Sequence, residues 1–107
     1  MAEEFSIVVP VYNRAGLICR CLDSIKAQTY RPLHLVVVDN ASTDETLRTV
    51  TKWGQENAGG QLRMSILEER QRGAAAARNC GLRAVTSDWL CFFDSDDAMR
   101  PDLAETA

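Results

Sequence analysis

The chain has 107 residues with 46% hydrophobic and 25% charged residues and a formal net charge of -3, which indicates one globular domain or part of a larger one. It has no basic block or stripe, so a nucleic-acid partner is not expected. No run approaches the ~20 apolar residues of a membrane span, and residues 1–4 are acidic where a signal peptide is basic, so a cytoplasmic location is predicted. The four cysteines form no CxxC pair and are predicted to be reduced core residues.

Apolar runs and amphipathic segments alternate along the chain. Strands are predicted at residues 5–12, 33–38, 64–67 and 89–93, and helices at 18–25, from the turn after 42 to 56, and at 74–86. The order β-α-β-α-β-α-β indicates an α/β fold, with a Rossmann-like, mostly parallel sheet of about four strands and flanking helices.

Three local patterns give more detailed predictions. Ser42 followed by Glu45 has the spacing of a capping box for the second helix. Leu82 and Val85 are predicted to point from the third helix into the core. The five apolar residues at 89–93 predict a last strand that is covered on both faces.

An acidic cluster follows that last strand directly. Asp94, Asp96 and Asp97 cannot be buried unpaired, so they are expected at the carboxyl end of the strand, where a cation can meet them. Carboxylate oxygens are the ligands that hard divalent ions prefer. A solvated acidic turn that caps a following helix is an equally good reading of the cluster alone.

Ligands of open parallel sheets bind outside the carboxyl ends of the strands, and several known site types can be excluded there. The turn after the first strand has one glycine, so neither a dinucleotide-binding GxGxxG loop nor the glycine-rich turn of a nucleotidyltransferase is present. A P-loop is absent, and Asn13 and Arg14 stand where a phospho-accepting receiver domain has acidic residues. His34, the only histidine, lies in a strand and is interpreted as packed rather than catalytic.

Four segments together resemble glycosyltransferase family 2 in order and spacing. They are SIVVPVYNR at 6–14, VVDNASTD at 37–44, RGAAAARNCGL at 72–82 and FDSDD at 93–97. The resemblance implies a GT-A fold and inverting transfer of a sugar from a nucleotide diphosphate donor to an acceptor hydroxyl. Many members read Asp-Asp where this chain has Asp39 and Asn40.

The resemblance also implies roles for individual residues, and charge adds one more. A departing nucleoside diphosphate develops negative charge that Mn²⁺ or Mg²⁺ stabilises, and a cationic side chain such as Arg78 can assist. Arg14, Arg70 and Arg72 lie near the same edge. The roles implied by resemblance are Pro10 and Tyr12 framing the base, Asp39 and Asn40 near base and ribose, Asp96 on the ribose hydroxyls, Asp97 with Asp96 on the metal, and Asp94 supporting the cluster.

Residues 1–107 are accordingly expected to be the nucleotide-sugar-binding part of a GT-A domain, ending before the acceptor part. The donor would be of UDP or dTDP type and the acceptor a carbohydrate, lipid-linked or other hydroxyl. The general base is expected beyond Ala107, and absent regions would mediate any contact with the cytoplasmic face of a membrane. The isolated piece is expected to self-associate through an uncovered apolar edge. A non-catalytic module that binds nucleotide sugars or nucleotides stays open as the alternative.

Overall fold

A computed structural model describes residues 3–28 and 31–93 of the chain. The predicted alternation is confirmed, and the third strand is longer than its apolar core suggested. The elements are β1 (Phe5–Val11), α1 (Ile18–Lys26), β2 (Leu33–Asp39), α2 (Thr46–Asn57), β3 (Leu62–Glu68), α3 (Ala74–Ala84) and β4 (Trp89–Phe92).

The four strands form one parallel sheet in the order β3-β2-β1-β4, which confirms the α/β, Rossmann-like class. Val11 of β1 pairs with Asp39 of β2, which in turn pairs with Glu68 of β3. Strand β4 pairs with the first half of β1, as far as Val8 opposite Phe92. The loops after all four strands therefore start from the same edge of the sheet, here called the carboxyl edge.

Both faces of β1 and β2 are covered, which explains their nearly continuous apolar sequences. On one face, Ile7 and Val9 pack in a cluster with side chains of α1 and α2 that include Leu22 and Trp53. On the other face, Val8, Val36 and Val38 pack against Ala77 of α3. The central strands are thus held in place from two sides, and they fix the positions of the loops that follow them.

Helix α3 approaches the sheet closely through small residues. Ala77 and Gly81, four residues apart, face the sheet, and a Cβ added at Gly81 would lie 2.4 Å from Cγ1 of Val8. The prediction that Leu82 faces the core is wrong, since its side chain is 42% exposed. The helix turns its Ala and Gly residues inward because only they allow this short distance; Val85, beyond the helix, does pack against the same cluster.

Strand β4 also differs from the prediction, because it is not covered on both faces. Trp89, Leu90 and Phe92 are 54%, 36% and 40% exposed. Within residues 3–28 and 31–93, β4 pairs with β1 alone and is an edge strand. An apolar run indicates what a strand can bury, and the described residues leave these side chains partly exposed.

The predicted capping box of α2 does not form. Helix α2 begins at Thr46, and the Ser42 hydroxyl instead accepts a hydrogen bond from the backbone N–H of Asn13, 3.0 Å away. Asp44 accepts from the backbone N–H of Thr46 at 2.9 Å and also from the Thr46 hydroxyl. A long-range contact between two loops has replaced the local cap.

The four cysteines are free, as predicted, but one is not in the core. Cys21 is buried and Cys80 and Cys91 are half-buried, whereas Cys19 is exposed on the outer side of α1. In the described part of the chain, no helix has the length and apolar character needed to cross a membrane.

Candidate functional site

A cleft of about 530 Å³ opens at the carboxyl edge, between the ends of β1, β2 and β4 and the start of α3. Of the residues predicted for the site, it brings together Pro10, Tyr12, Asn40 and Arg78. Asp94, Asp96 and Asp97 lie outside the described residues. Among the described residues, the lining consists of Pro10, Val11, Tyr12, Arg14, Asn40, Ala74, Ala77, Arg78, Phe92 and Phe93.

The cleft combines apolar and cationic walls. Phe92 and Phe93, which the sequence placed in a buried strand, line it from β4 and the residue after it. Helix α3 contributes Ala74, Ala77 and Arg78, so the first turn of the helix, whose N–H groups have few intrahelical acceptors, lines the same cleft as an arginine. A helix amino terminus next to an arginine is a favourable environment for an anion.

Tyr12 forms one side of the cleft and is held from two directions. The guanidinium carbon of Arg72 lies 4.0 Å from the centroid of the Tyr12 ring, a cation–π contact. Arg14 donates from Nη1 to the carbonyl oxygens of Tyr12 and Asn13, at 3.3 and 3.2 Å. The sequence identified both arginines only as cations near this edge, because a stacking contact leaves no mark in residue spacing.

Asn13 joins the loop after β1 to the loop after β2. Its Oδ1 accepts from the backbone N–H of Thr43 at 2.8 Å and of Asp44 at 3.3 Å, and its backbone has a positive φ of 49°. Arg14 N donates to the Thr46 hydroxyl at 2.9 Å, and Ala15 N to the Asp44 carboxylate at 3.4 Å. The hydrogen bond from the Thr46 hydroxyl, ahead of those from backbone N–H groups, holds the pKa of Asp44 below its ordinary value.

Asp39 lies at the end of β2 and is 4% exposed. Its Oδ2 accepts a hydrogen bond from Ser42 N at 3.3 Å, whereas Oδ1 is buried and has no hydrogen-bond partner among the described residues. A buried, unpaired carboxylate oxygen costs free energy that a ligand with an N–H or O–H group would recover. Because the atom has almost no accessible surface, such a ligand would have to displace a neighbouring side chain.

Asn40 is 7% exposed, and its side chain is fully engaged with the loop after β3. Nδ2 donates to the carbonyl oxygens of Glu69 at 3.1 Å and Gln71 at 2.7 Å, and Oδ1 accepts from the backbone N–H of Gly73 at 3.0 Å. Asn40 therefore reaches the cleft wall, but its two N–H groups are not free to contact a base.

His34 is remote from the cleft and belongs to a separate network. Its ring is buried, with Nε2 2.8 Å from the Ser65 hydroxyl and Nδ1 3.2 Å from Nη2 of Arg63. Arg63 in turn forms a two-point ion pair with Glu4. Burial, and then the charge of Arg63, lower the pKa of His34, so the ring is neutral at pH 7 and serves packing, as the sequence indicated.

Within residues 3–28 and 31–93, no three His, Cys, Asp or Glu side chains come together as metal ligands. Phe93, which precedes Asp94 in the sequence and is the last described residue, lines the cleft and donates its backbone N–H to Val8 O at 3.0 Å.

Comparison with known proteins gives consistent relatives. Glycosyltransferase GlyA of Streptococcus pneumoniae is 35% identical over 104 residues, which are 97% of this chain and 14% of GlyA. The structure of residues 1–349 of S. aureus TarS in complex with UDP has a TM-score of 0.84 at 29% identity, covering 96% of this chain and 30% of that TarS fragment. A mannosyltransferase from Pyrobaculum calidifontis, in complex with GDP-Man and Mn²⁺, has a TM-score of 0.83 at 37% identity, covering 92% of this chain and 29% of the other.

The chain thus spans less than a third of the length of each of these three proteins. The sequence profile described as "Glycosyl transferase family 2" matches residues 6–107, nearly the whole chain. Together with the parallel sheet shared with these structures, this match establishes that the chain belongs to glycosyl transferase family 2.

Proposed function

We propose that residues 1–107 are the donor-binding part of an inverting, metal-dependent glycosyltransferase, which transfers a sugar from a UDP or dTDP sugar to an acceptor hydroxyl. The observation that carries this proposal is the composition of the cleft: an aromatic wall around Tyr12, and a helix amino terminus with Arg78 in the same cavity. A base needs the first surface, and a diphosphate needs the second.

The base would lie against Tyr12 and Pro10, above Asp39. The unpaired Oδ1 of Asp39 is an acceptor, and uracil and thymine each carry a ring N–H that it could bind once a neighbouring side chain is displaced. Adenine and cytosine have an acceptor nitrogen at that ring position, so in the same pose they would place an acceptor against the buried oxygen. Guanine does have a ring N–H there, and the complex of the Pyrobaculum protein with GDP-Man makes GDP the most demanding competitor.

The diphosphate would lie towards α3. Arg78 and the first-turn N–H groups of α3 can bind phosphate oxygens, and Arg14 lines the same cavity. For the metal we propose Asp97 with Asp96, whose oxygens are hard donors suited to Mn²⁺ or Mg²⁺. When bound, the ion would stabilise the charge that develops on the leaving diphosphate. Asp96 would also bind the ribose hydroxyls, with Asp94 supporting the pair.

All of these groups serve the donor. Inverting transfer also needs a base within hydrogen-bond reach of the acceptor hydroxyl, on the face opposite the leaving group. We propose that this base and the acceptor pocket, for a carbohydrate, lipid-linked or other hydroxyl, lie beyond Ala107. The relatives support this division, because this chain matches only 30% of residues 1–349 of TarS.

The proposal is tested by titrating nucleotides into the protein encoded by the longest open reading frame that contains these residues. UDP should bind in Mn²⁺ or Mg²⁺ and much more weakly in chelator, and Asp97→Asn should weaken binding by at least tenfold. Asp88→Asn is the matched control, because Asp88 is exposed and lies beside the start of β4, away from the cleft. Equal effects of the two substitutions on UDP binding would contradict the proposed metal site.

Competition among UDP, dTDP, GDP and ADP then identifies the base, and tighter binding of GDP or ADP would contradict the pyrimidine assignment. Incubation of the same protein with a panel of acceptors decides between an enzyme and a binding module. Acceptor-dependent product supports the enzyme. Donor binding without any product would favour the non-catalytic module.

A further inference from the structure

Asn40 connects the ends of two neighbouring strands through its side chain. It follows β2 directly, and its three hydrogen bonds all reach the segment after β3, here called the 69–73 loop. Two backbone carbonyls accept from Nδ2 and one backbone N–H donates to Oδ1, so the orientation of the amide is fixed: a flipped amide would place donor against donor and acceptor against acceptor.

The 69–73 loop carries two parts of the cleft. Arg72 stacks on the Tyr12 ring, and Gly73, with a φ of +124°, leads into the first turn of α3. Ala74 and Arg78 in that helix line the cleft. The loop also makes a backbone hydrogen bond to the end of β2, from Glu69 N to Asp39 O at 2.9 Å.

We propose that Asn40 is a positioning residue: it holds the 69–73 loop so that Arg72 closes over Tyr12 and α3 starts at the cleft. Asn40 then contributes to nucleotide affinity through the loop, without reading the base itself. The effect on nucleotide affinity rests on the proposed function, whereas the loop contacts themselves are present in the free protein.

The amide chemistry distinguishes this role from base recognition. Both Nδ2 protons are donated to Glu69 and Gln71, so the side chain has no donor left for a base. Asn40→Asp keeps the shape and the acceptor for Gly73 N, but it places an ionised oxygen against two carbonyl oxygens. Protonation of that aspartate at low pH restores one O–H donor and therefore part of the contact.

The test uses the Asn40→Asp and Asn40→Ala variants of the protein encoded by the longest open reading frame, with UDP as the probe. Asn57→Asp is the matched control, because Asn57 also donates from Nδ2 to a carbonyl, that of Trp53 at 2.9 Å, but at the far end of α2. At pH 8, Asn40→Asp should bind UDP about tenfold more weakly than wild type, as expected if the loop is in place about a tenth of the time. At pH 5 its affinity relative to wild type should recover to within about threefold, whereas Asn40→Ala should not recover.

Hydrogen exchange in the nucleotide-free protein provides the second readout. Exchange of the Gly73 amide should accelerate in both Asn40 variants and stay unchanged in Asn57→Asp. In wild type, the Asn40 side-chain amide protons should exchange slowly, a measurement that holds even if a variant does not fold. Fast exchange of these protons would overturn the proposal.

The remaining outcomes are equally decisive. Weaker UDP binding with an unchanged Gly73 amide and no recovery at pH 5 would mean that Asn40 contacts the nucleotide, and the proposal would be overturned. Unchanged UDP affinity in both variants would also overturn it. If wild type binds no nucleotide, the proposed function fails, and the exchange of Gly73 and of the Asn40 amide alone then supports or overturns the positioning role.

Discussion

Asp39→Asn should weaken nucleotide binding without lowering the stability of the fold, because the two carboxylate oxygens of Asp39 have different surroundings. Oδ2 accepts from Ser42 N at 3.3 Å, and Oδ1 is buried without a partner among the described residues. Asparagine keeps the shape and the acceptor for Ser42 and removes the buried charge. A neutral amide is easier to bury than a carboxylate with an unpaired oxygen, so the free energy of unfolding should be unchanged within about 1 kcal/mol or increase.

Binding should respond in the opposite direction. With the amide oxygen directed at Ser42, an N–H group replaces the Oδ1 acceptor and faces the ring N–H of uracil. Loss of a hydrogen bond to a charged group is worth about 1.5–3 kcal/mol, so UDP affinity should fall by roughly 10- to 150-fold. Cytosine has an acceptor at that ring position, so the ratio of UDP to CDP affinity should fall by at least about tenfold.

Calorimetric titration of UDP and CDP in Mn²⁺, with urea unfolding of the same samples, measures both effects. The control is Asp88→Asn, an exposed carboxylate to which the same change is made. Equal UDP affinity in the two variants would refute the reasoning. A parallel loss of UDP and CDP binding together with lowered stability would also refute it, since Asp39 would then be a structural residue.

Three further predictions concern stability and assembly. Gly81→Ala should destabilise the fold by about 1–3 kcal/mol in urea unfolding, because its Cβ would lie 2.4 Å from Cγ1 of Val8; unchanged stability would mean that α3 moves freely. The lowered pKa of His34 means that the unfolded chain binds a proton first as pH falls below about 6.5, so stability should decrease there. The stability of the His34→Gln variant should decrease less over the same pH range, and equal slopes of stability against pH in variant and wild type would contradict this. The isolated 107-residue piece should self-associate in ultracentrifugation through Trp89 and Phe92, and Phe92→Ser should reduce this association; a monomer at ~100 μM would contradict it.

The sequence predicted the arrangement of the sheet well and the contacts of individual side chains less well. β-branched runs identified the strands, the rule that ligands bind at the carboxyl edge indicated Pro10 and Tyr12, and charge indicated Arg78; all three line one cleft. The role of Asn40 could not be read in the same way. Its partners are backbone groups of residues 29 to 33 positions away, and backbone groups carry no signature of residue type.

The errors share a physical cause. Ser42 and Glu45 have the spacing of a local cap, but the Ser42 hydroxyl accepts a hydrogen bond from Asn13 N instead, and the helix starts at Thr46. Leu82 has helical spacing and apolar character, but the short distance between α3 and the sheet admits only Gly81 and Ala77. In both cases a tertiary contact prevailed over a local preference worth about 1 kcal/mol.

Two asparagines link the three loops that follow β1, β2 and β3 and so pre-organise the cleft. Asn13 fastens the loop after β1 to the loop after β2, and Asn40 fastens that loop to the one after β3. Both use side-chain amides on backbone groups, so the three loops are ordered before a ligand arrives, and binding need not supply that ordering free energy. The single buried side-chain atom left unpaired by this network, among the described residues, is Oδ1 of Asp39. Because this acceptor is buried, a ligand that displaces the neighbouring side chain is expected to be selected by the donor that it presents to Oδ1.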